Sequence, residues 1–347
     1  MDRTDFAAEL ARRRADAGFS LASAADDTAA ARRLVDERLA APMPQTVEIA
    51  SGRRVGTALV DTVARRVAQL RKADDYLGGR DLWPLIEREL RATAGIVRDA
   101  AYPDPLGRGL LTAVAELCQL AGWVAVDAGA PARAARCHLL GVHAAHAAGD
   151  RACAANLVST LSYQVANEGD PRESIELATA AASAGPHVSA ATRALLGERV
   201  AWAHAKAGEV REAERALVEV ERAFERRAPG DDPEWTYWLN EDEILVMAGR
   251  CYVELGWPRR AIPLLEGVLG RYDERMAREA ALYTSWLAEA YLDAGEVDQA
   301  AALAARVREL TGSTSSARGD GRLALLRGRL EPYAEVGAVR DFLAVEG

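Results

Sequence analysis

The sequence predicts an all-α fold, a helical solenoid of about five to six helical hairpins. The first observation behind this is a repeat. A glycine is followed five residues later by a small residue in DAGAPARA (127–134), NEGDPRES (167–174), KAGEVREA (206–213), ELGWPRRA (254–261) and DAGEVDQA (293–300). The landmark glycines Gly129, Gly169, Gly208, Gly256 and Gly295 stand 40, 39, 48 and 39 residues apart, and a period near forty residues marks a repeat architecture. The second observation is composition. Half the residues are hydrophobic and only 6% aromatic, with alanine prominent, which favours closely packed helices over sheet. The third is length: 347 residues exceed one ordinary core but suit a stack in which each unit packs on its neighbours.

Taken in order, residues 1–40 read as a short helical N-terminal segment, with amphipathic stretches at 5–18 and 28–40. The Pro-, Gly- and polar-rich run 41–56 reads as a linker. The solenoid is expected over 57–347. Val60, Val63, Val67 and Leu70 follow the spacing of one helix face, and Gly78–Gly79 is expected to stop that helix. Leu85, Leu90, Thr93 and Val97 mark the next, Pro103 and Pro105 punctuate, and five glycine-marked hairpins follow. Each landmark glycine stands where a helix must end and reverse, a place that favours positive φ. The small residue five positions on lies on the second helix, where close contact tolerates no bulk. The insertion APGDDPEWTYW (228–238) accounts for the 48-residue gap, and GSTSSARGDG (312–321) reads as a flexible break before a final helix.

A net charge of −9 argues against nonspecific nucleic-acid binding as the main role. Cys118, Cys137, Cys153 and Cys251 form no C-x-x-C pair and sit in apolar helical patterns, the setting of buried reduced thiols in a cytoplasmic protein. The N-terminal run MDRTDFAAELARRR lacks the apolar core of a signal peptide. No membrane span or membrane partner is expected, because no stretch approaches eighteen uninterrupted apolar residues.

The phrase GRCYVELGWPRRA, with AGWVAVDAGAPARA and AEAYLDAGEVDQA, resembles the tetratricopeptide repeat: a small residue, an aromatic three later, a turn glycine four beyond, then alanine five beyond. A wider resemblance covers roughly residues 57–345. AELCQLAGWVAVDAG, STLSYQ, GDPRESIELA, EWTYWLNEDEILVMAGRCYVELG, ALYTSWLAEAYLDAGEVDQAA and AVRDFLA look like the C-terminal sensor half of actinobacterial Xre-type transcriptional regulators. In that family a helix-turn-helix domain precedes a tetratricopeptide region, and FAAELARRRADAGFSLASAA (6–25) resembles the opening of such a domain. The chain then departs from the pattern. DDTAAARRLVDERLAAP holds no recognition helix, and residues 1–40 carry seven arginines against eight acids, whereas DNA binding calls for basic flanks on phosphate. The resemblance therefore implies a right-handed tetratricopeptide-like solenoid with a degenerate helix-turn-helix remnant, and DNA is a doubtful partner.

The resemblance also implies that the first helix of each hairpin lines a concave groove. Six residues before the landmark glycines stand Trp123, Tyr163, Trp202, Arg250 and Glu289. Ten before stand Gln119, Ser159, Glu198, Val246 and Ser285, and thirteen before stand Glu116, Asn156, Leu195, Glu243 and Leu282. These rows are about one helical turn apart, so each helix presents them on one side. Aromatic walls with a few polar anchors suit a small molecule or peptide, though Trp123 and Trp202 could equally be core residues packed between neighbouring hairpins. Arg250 could clamp a carboxylate or phosphate or pair internally with Glu243 or Glu289. Trp235, Tyr237 and Trp238 in the insertion could cap the groove, or plug the gap left by an irregular hairpin.

Catalytic signatures are sparse. His143 and His146 stand three apart beside His138 and Cys137, but a helical metal pair needs further ligands nearby. No Gly-rich phosphate loop, G-x-S-x-G or H-E-x-x-H occurs, so no metal or cofactor is expected, and no catalytic residue is assigned. Carboxylates such as Glu116, Glu198, Glu243 and Glu289 could meet in the groove and shift one another's pKa. The reading is a cytoplasmic regulatory protein that binds a small molecule, peptide or protein in its groove. The alternatives are a biosynthetic enzyme on a regulator-like solenoid and a DNA-binding regulator with a divergent N-terminal domain. A homodimer would cover apolar surface at an uncapped solenoid end.

Overall fold

The computed structural model describes residues 54, 56–184, 188–228, 230–272, 276–312, 314 and 316–345. The expected N-terminal segment and almost all of the expected linker lie outside the described residues. Helices follow one another as α1 (Thr57–Asp74), α2 (Gly79–Asp99), α3 (Asp104–Asp127), α4 (Pro131–Ala148), α5 (Arg151–Glu168), α6 (Pro171–Ala182) and α7 (Ala190–Lys206). They continue as α8 (Val210–Glu225), α9 (Glu241–Glu254), α10 (Pro258–Leu269), α11 (Ala277–Asp293), α12 (Val297–Thr311), α13 (Ala317–Leu330) and α14 (Gly337–Ala344). The chain is an all-α helical solenoid. Six hairpins run from α1/α2 to α11/α12, and α13 and α14 both pack on α12.

The turn chemistry follows the repeat. Gly129, Gly208, Gly256 and Gly295 have φ between 71° and 86°. After each, the next backbone N–H reaches the carbonyl five residues back, as in Trp257 to Tyr252 at 2.8 Å and Glu296 to Tyr291 at 2.9 Å, which satisfies otherwise orphaned helix-end carbonyls. Gly169 departs from the expectation. Its φ is −131°, and the reversal is made instead by Asp170, whose carboxylate accepts from the Arg172 amide at 2.9 Å and caps α6 ahead of Pro171. Gly78–Gly79 does not end α1, which stops at Asp74; Gly79 instead opens α2.

The small residue after each glycine, Ala134, Ser174, Ala213, Ala261 or Ala300, is fully buried. So is the residue seven before each of the middle three and last glycines: Ser162, Ala201, Gly249 and Ala288. These are the close crossings of the hairpins. In α5/α6 the contact is polar, with Ser162 Oγ donating to the Ser174 carbonyl at 2.9 Å and Ser174 Oγ to the Ser162 carbonyl at 3.0 Å. In α9/α10 a Cβ on Gly249 would stand 2.8 Å from Leu265 Cγ. Gly249→Ala is therefore expected to lower stability by about 1 kcal/mol. Overpacking costs about 1–3 kcal/mol, against about 1 kcal/mol regained in helix propensity. Urea unfolding checks it, and a raised midpoint would mean that Leu265 repacks freely.

Among the described residues α3 is the one helix long and apolar enough to cross a membrane. Its Leu110, Leu117, Ala121 and Val124 pack with Leu59, Val63, Leu82 and Ile86 of α1 and α2 in a core cluster. The four cysteines are free and buried, and burial pushes the Cys118 and Cys251 thiols up to about 12. ARGDG (317–321) is not a break. Ser316 accepts from the Gly319 amide at 3.3 Å and starts α13 there.

Candidate functional site

The helices enclose a cavity of about 920 Å³. It is lined chiefly by the first helices of the hairpins, α3, α5, α7, α9 and α11, and by α13. At one part of its wall, residues far apart in sequence are joined. Arg278, at the start of α11, donates to Asp74 at 3.1 Å and to the Leu77 carbonyl at 3.3 Å, and stands 3.6 Å from Asp127. Asp127 also accepts from the Gly79 amide at 3.0 Å, Ser316 Oγ at 2.5 Å and Arg318 Nε at 3.0 Å. Burial works to raise the Asp127 carboxyl, but Arg318, Arg278 and Ser316 outweigh it and hold it below the usual range. One carboxylate at the end of α3 thus ties the first hairpin to α11 and α13.

The insertion adds a second bridge. Trp235 packs with Leu195, Phe224 and Ile244, which fills the irregular hairpin. Tyr237, two residues on, donates to the Asp75 carboxylate at 2.7 Å. Trp235, Tyr237 and Trp238 all face the cavity. Burial pushes Asp75 up to about 7, against the Tyr237 hydrogen bond.

Of the sequence-derived groove residues, Gln119, Trp123, Tyr163, Glu198, Trp238, Glu243 and Arg250 line the cavity. Glu116, Asn156, Ser159, Trp202, Ser285 and Glu289 do not. Glu116 pairs with Arg71 at 2.8 Å. The Asn156 carbonyl accepts from Ser159 Oγ at 2.8 Å, inside α5. Ser285 Oγ donates to the Leu282 carbonyl and accepts from Arg322, and Glu289 pairs with Arg322 and Arg329. Trp202 is 0% exposed, in a core cluster with Val246, Met247 and Cys251. It supports the wall from behind instead of forming it.

The aromatics nonetheless form a ladder across four helices. Ring centroids are 5.5 Å apart for Trp123–Tyr163, 6.0 Å for Tyr163–Trp202 and 5.5 Å for Trp202–Trp286. On α9 the position six before the glycine is Arg250, which inserts among the rings, 4.6 Å from Trp202 and 5.2 Å from Trp286. It donates to the Tyr163 hydroxyl at 2.5 Å. Burial works to raise that hydroxyl; Arg250, Arg199 and Arg318 outweigh it and hold it below its usual value.

Sequence reasoning missed Arg199, Trp286, Arg318 and Arg322. A signal for the first two exists. Nine residues before the glycines stand Leu120, Thr160, Arg199, Met247 and Trp286, and all five line the cavity. That row is the centre of the inward stripe, and rows six and ten back flank it. Arg318 and Arg322 had no such signal, because the final helix follows no landmark-glycine repeat and its first turn, 317–321, reads as part of a flexible break.

Two carboxylates on the wall are displaced strongly. Burial pushes Glu198 up to about 8 and Glu243 up to about 7, the latter against hydrogen bonds from Tyr283 at 2.7 and 2.8 Å. Burial holds His138 down, at about 4, so its imidazole is neutral near pH 7. His143 and His146 are exposed. Among the described residues no group of three or more His, Cys, Asp or Glu is placed to hold a metal ion.

No family model matches the chain, and no curated relative matches it. Among solved structures it is similar to BtubC (BKLC) from P. vanneervenii, at 15% identity over 88% of this chain and 91% of that one, with a TM-score of 0.30. It is also similar to the TPR domain of P58(IPK), at 16% identity over 89% of this chain and 80% of that one, with a TM-score of 0.28.

Proposed function

We propose that the protein binds a small molecule in its central cavity and serves as a regulatory sensor. One observation carries this reading. Among the described residues, buried polar atoms without hydrogen-bond partners occur on nine residues, and seven of them, Arg71, His138, Gln164, Glu198, Arg199, Arg250 and Glu279, line this one cavity, whereas Thr93 and Trp202 do not. Buried polar groups are nearly always satisfied, and each exception calls for a cause. A set of them around one space suits a ligand that completes them. The volume lies in the range of small-molecule sites, which favours a small molecule or short peptide over a folded partner. The regulatory role rests on the resemblance of residues 57–345 to sensor regions.

Native mass spectrometry of the gently purified protein, followed by the same sample denatured, tests the reading. A retained mass that is lost on denaturation is expected. Its absence, together with no change in melting temperature across a metabolite library, would sink the proposal.

A second reading is an enzyme that uses Glu198 or Glu243 as a general acid or base. It is favoured by two cavity carboxyls that titrate near neutrality. Accumulation of a metabolite in a deletion strain, with transcript levels unchanged, would select it over the sensor.

A further inference from the structure

We propose that the cavity ligand is an organic anion, its oxyanion group held between Arg199 and Arg250 and its body laid along the rings of Trp123 and Tyr163. This rests on the cavity being a ligand site.

The lining holds seven arginines, and five of them are neutralised within the protein. Arg71 pairs with Glu116, Arg271 with Asp242, Arg278 with Asp74, Arg318 with Asp127 and Arg322 with Glu289. Arg199 and Arg250 have no carboxylate partner among the described residues. Arg199 is 6% exposed, and among those residues it makes no hydrogen bond; its Nε is buried without an acceptor. Its neighbour Glu198 acts on it through space, but among the described residues the two form no hydrogen bond or ion pair.

The groups in contact with the two cations are aromatic, while the carboxyls of Glu198 and Glu243 act on them at longer range and are themselves pushed toward their neutral forms by burial. Arg199 lies 4.7 Å from the Tyr163 ring and 5.8 Å from Trp123. Arg250 lies 5.5 Å from the same Tyr163 ring. One phenol therefore gathers two guanidinium groups into one part of the cavity. A ring face attracts a cation by about 0.5–2 kcal/mol, whereas desolvating an ion costs several kcal/mol. The rings alone do not balance two buried like charges, but an oxyanion between them would. A guanidinium fork matches carboxylate and phosphate alike, and the neighbouring ring faces match a planar or apolar body.

The test uses the full chain and four probes of one shape: 2-naphthoate, 2-naphthyl phosphate, neutral 2-naphthylmethanol and cationic 2-naphthylmethylammonium. Isothermal titration should find one or both anions bound at least about tenfold more tightly than the other two. Arg199→Gln and Arg250→Gln should each weaken the anion by about tenfold or more, the range for hydrogen bonds to a charged group. Both should leave the neutral probe unchanged. Arg199→Lys should lose less, and it replaces the Gln variant should that one fail to fold by circular dichroism. Equal binding of all four probes, or anion affinity unchanged in both variants, overturns the proposal. So does a neutral or cationic mass retained in the native spectrum, although the cavity then still stands as a ligand site. No binding of any probe, with no retained mass, overturns both readings.

Discussion

Arg278→Met is expected to lower unfolding free energy by about 3–5 kcal/mol and to loosen the contact of α11 with the first hairpin. The guanidinium is 8% exposed and is shared among Asp74, Glu279, Asp127 and the Leu77 carbonyl. Methionine retains much of the apolar stem and its packing, so the loss isolates the charge. Removing one partner of a buried ionic cluster leaves the others uncompensated, and the penalty is of that size. Against a total stability of about 5–15 kcal/mol this is a large share. Asp127 would keep Arg318 and Ser316, so the first hairpin should loosen without detaching. A lower urea midpoint and a larger radius of gyration in small-angle X-ray scattering are the expected results. An unchanged midpoint would mean that the bridge adds nothing to stability.

Stability is also expected to fall as pH rises from 6 to 9, with Glu198 the main cause. Burial raises Glu198 to about 8 in the folded state, whereas an unperturbed glutamate titrates near about 4.3. Between those values the folded chain holds a proton that the unfolded chain has released. Its contribution is complete below the unfolded pKa and is lost as pH climbs through the folded one. Glu243 and Asp75, both raised to about 7, act in the same direction at slightly lower pH. The groups that act on Glu198 are Arg199, which favours its ionised form, Glu243, which opposes it, and Arg250, which favours it. Together the three carboxyls should remove on the order of 5 kcal/mol across that range, about half of it from Glu198. Glu198→Gln keeps the shape and cannot ionise, so its melting temperature should decline less steeply. A parallel decline in wild type and variant would exclude Glu198 as the source.

Only part of the site could be read before the fold. Trp123, Tyr163 and Arg250 were found by counting back from a turn glycine, because helix geometry is local and periodic. Trp202 obeys the same count and lies behind the wall, since the side of a helix that is buried depends on how neighbouring hairpins pack on it. Arg199 was passed over in favour of Glu198 one residue earlier, and only the centre of the stripe distinguishes them. Tyr237 and Asp75, 162 residues apart, carried no shared pattern.

The sequence by itself determined most of the helices, four of the five glycine-marked turns and the small residues at their crossings. These depend on contacts within about forty residues, where backbone propensity, glycine φ and helical spacing act. It also marked most of the first helices whose faces turn inward. Tertiary structure alone decided that the groove is bridged into a cavity, because the superhelical path brings α11 and α13 back to Asp74 and Asp127. The same closure decided which arginines are neutralised: Arg278 and Arg318 find carboxylate partners on other hairpins, and Arg199 and Arg250, held among the rings on the wall, do not.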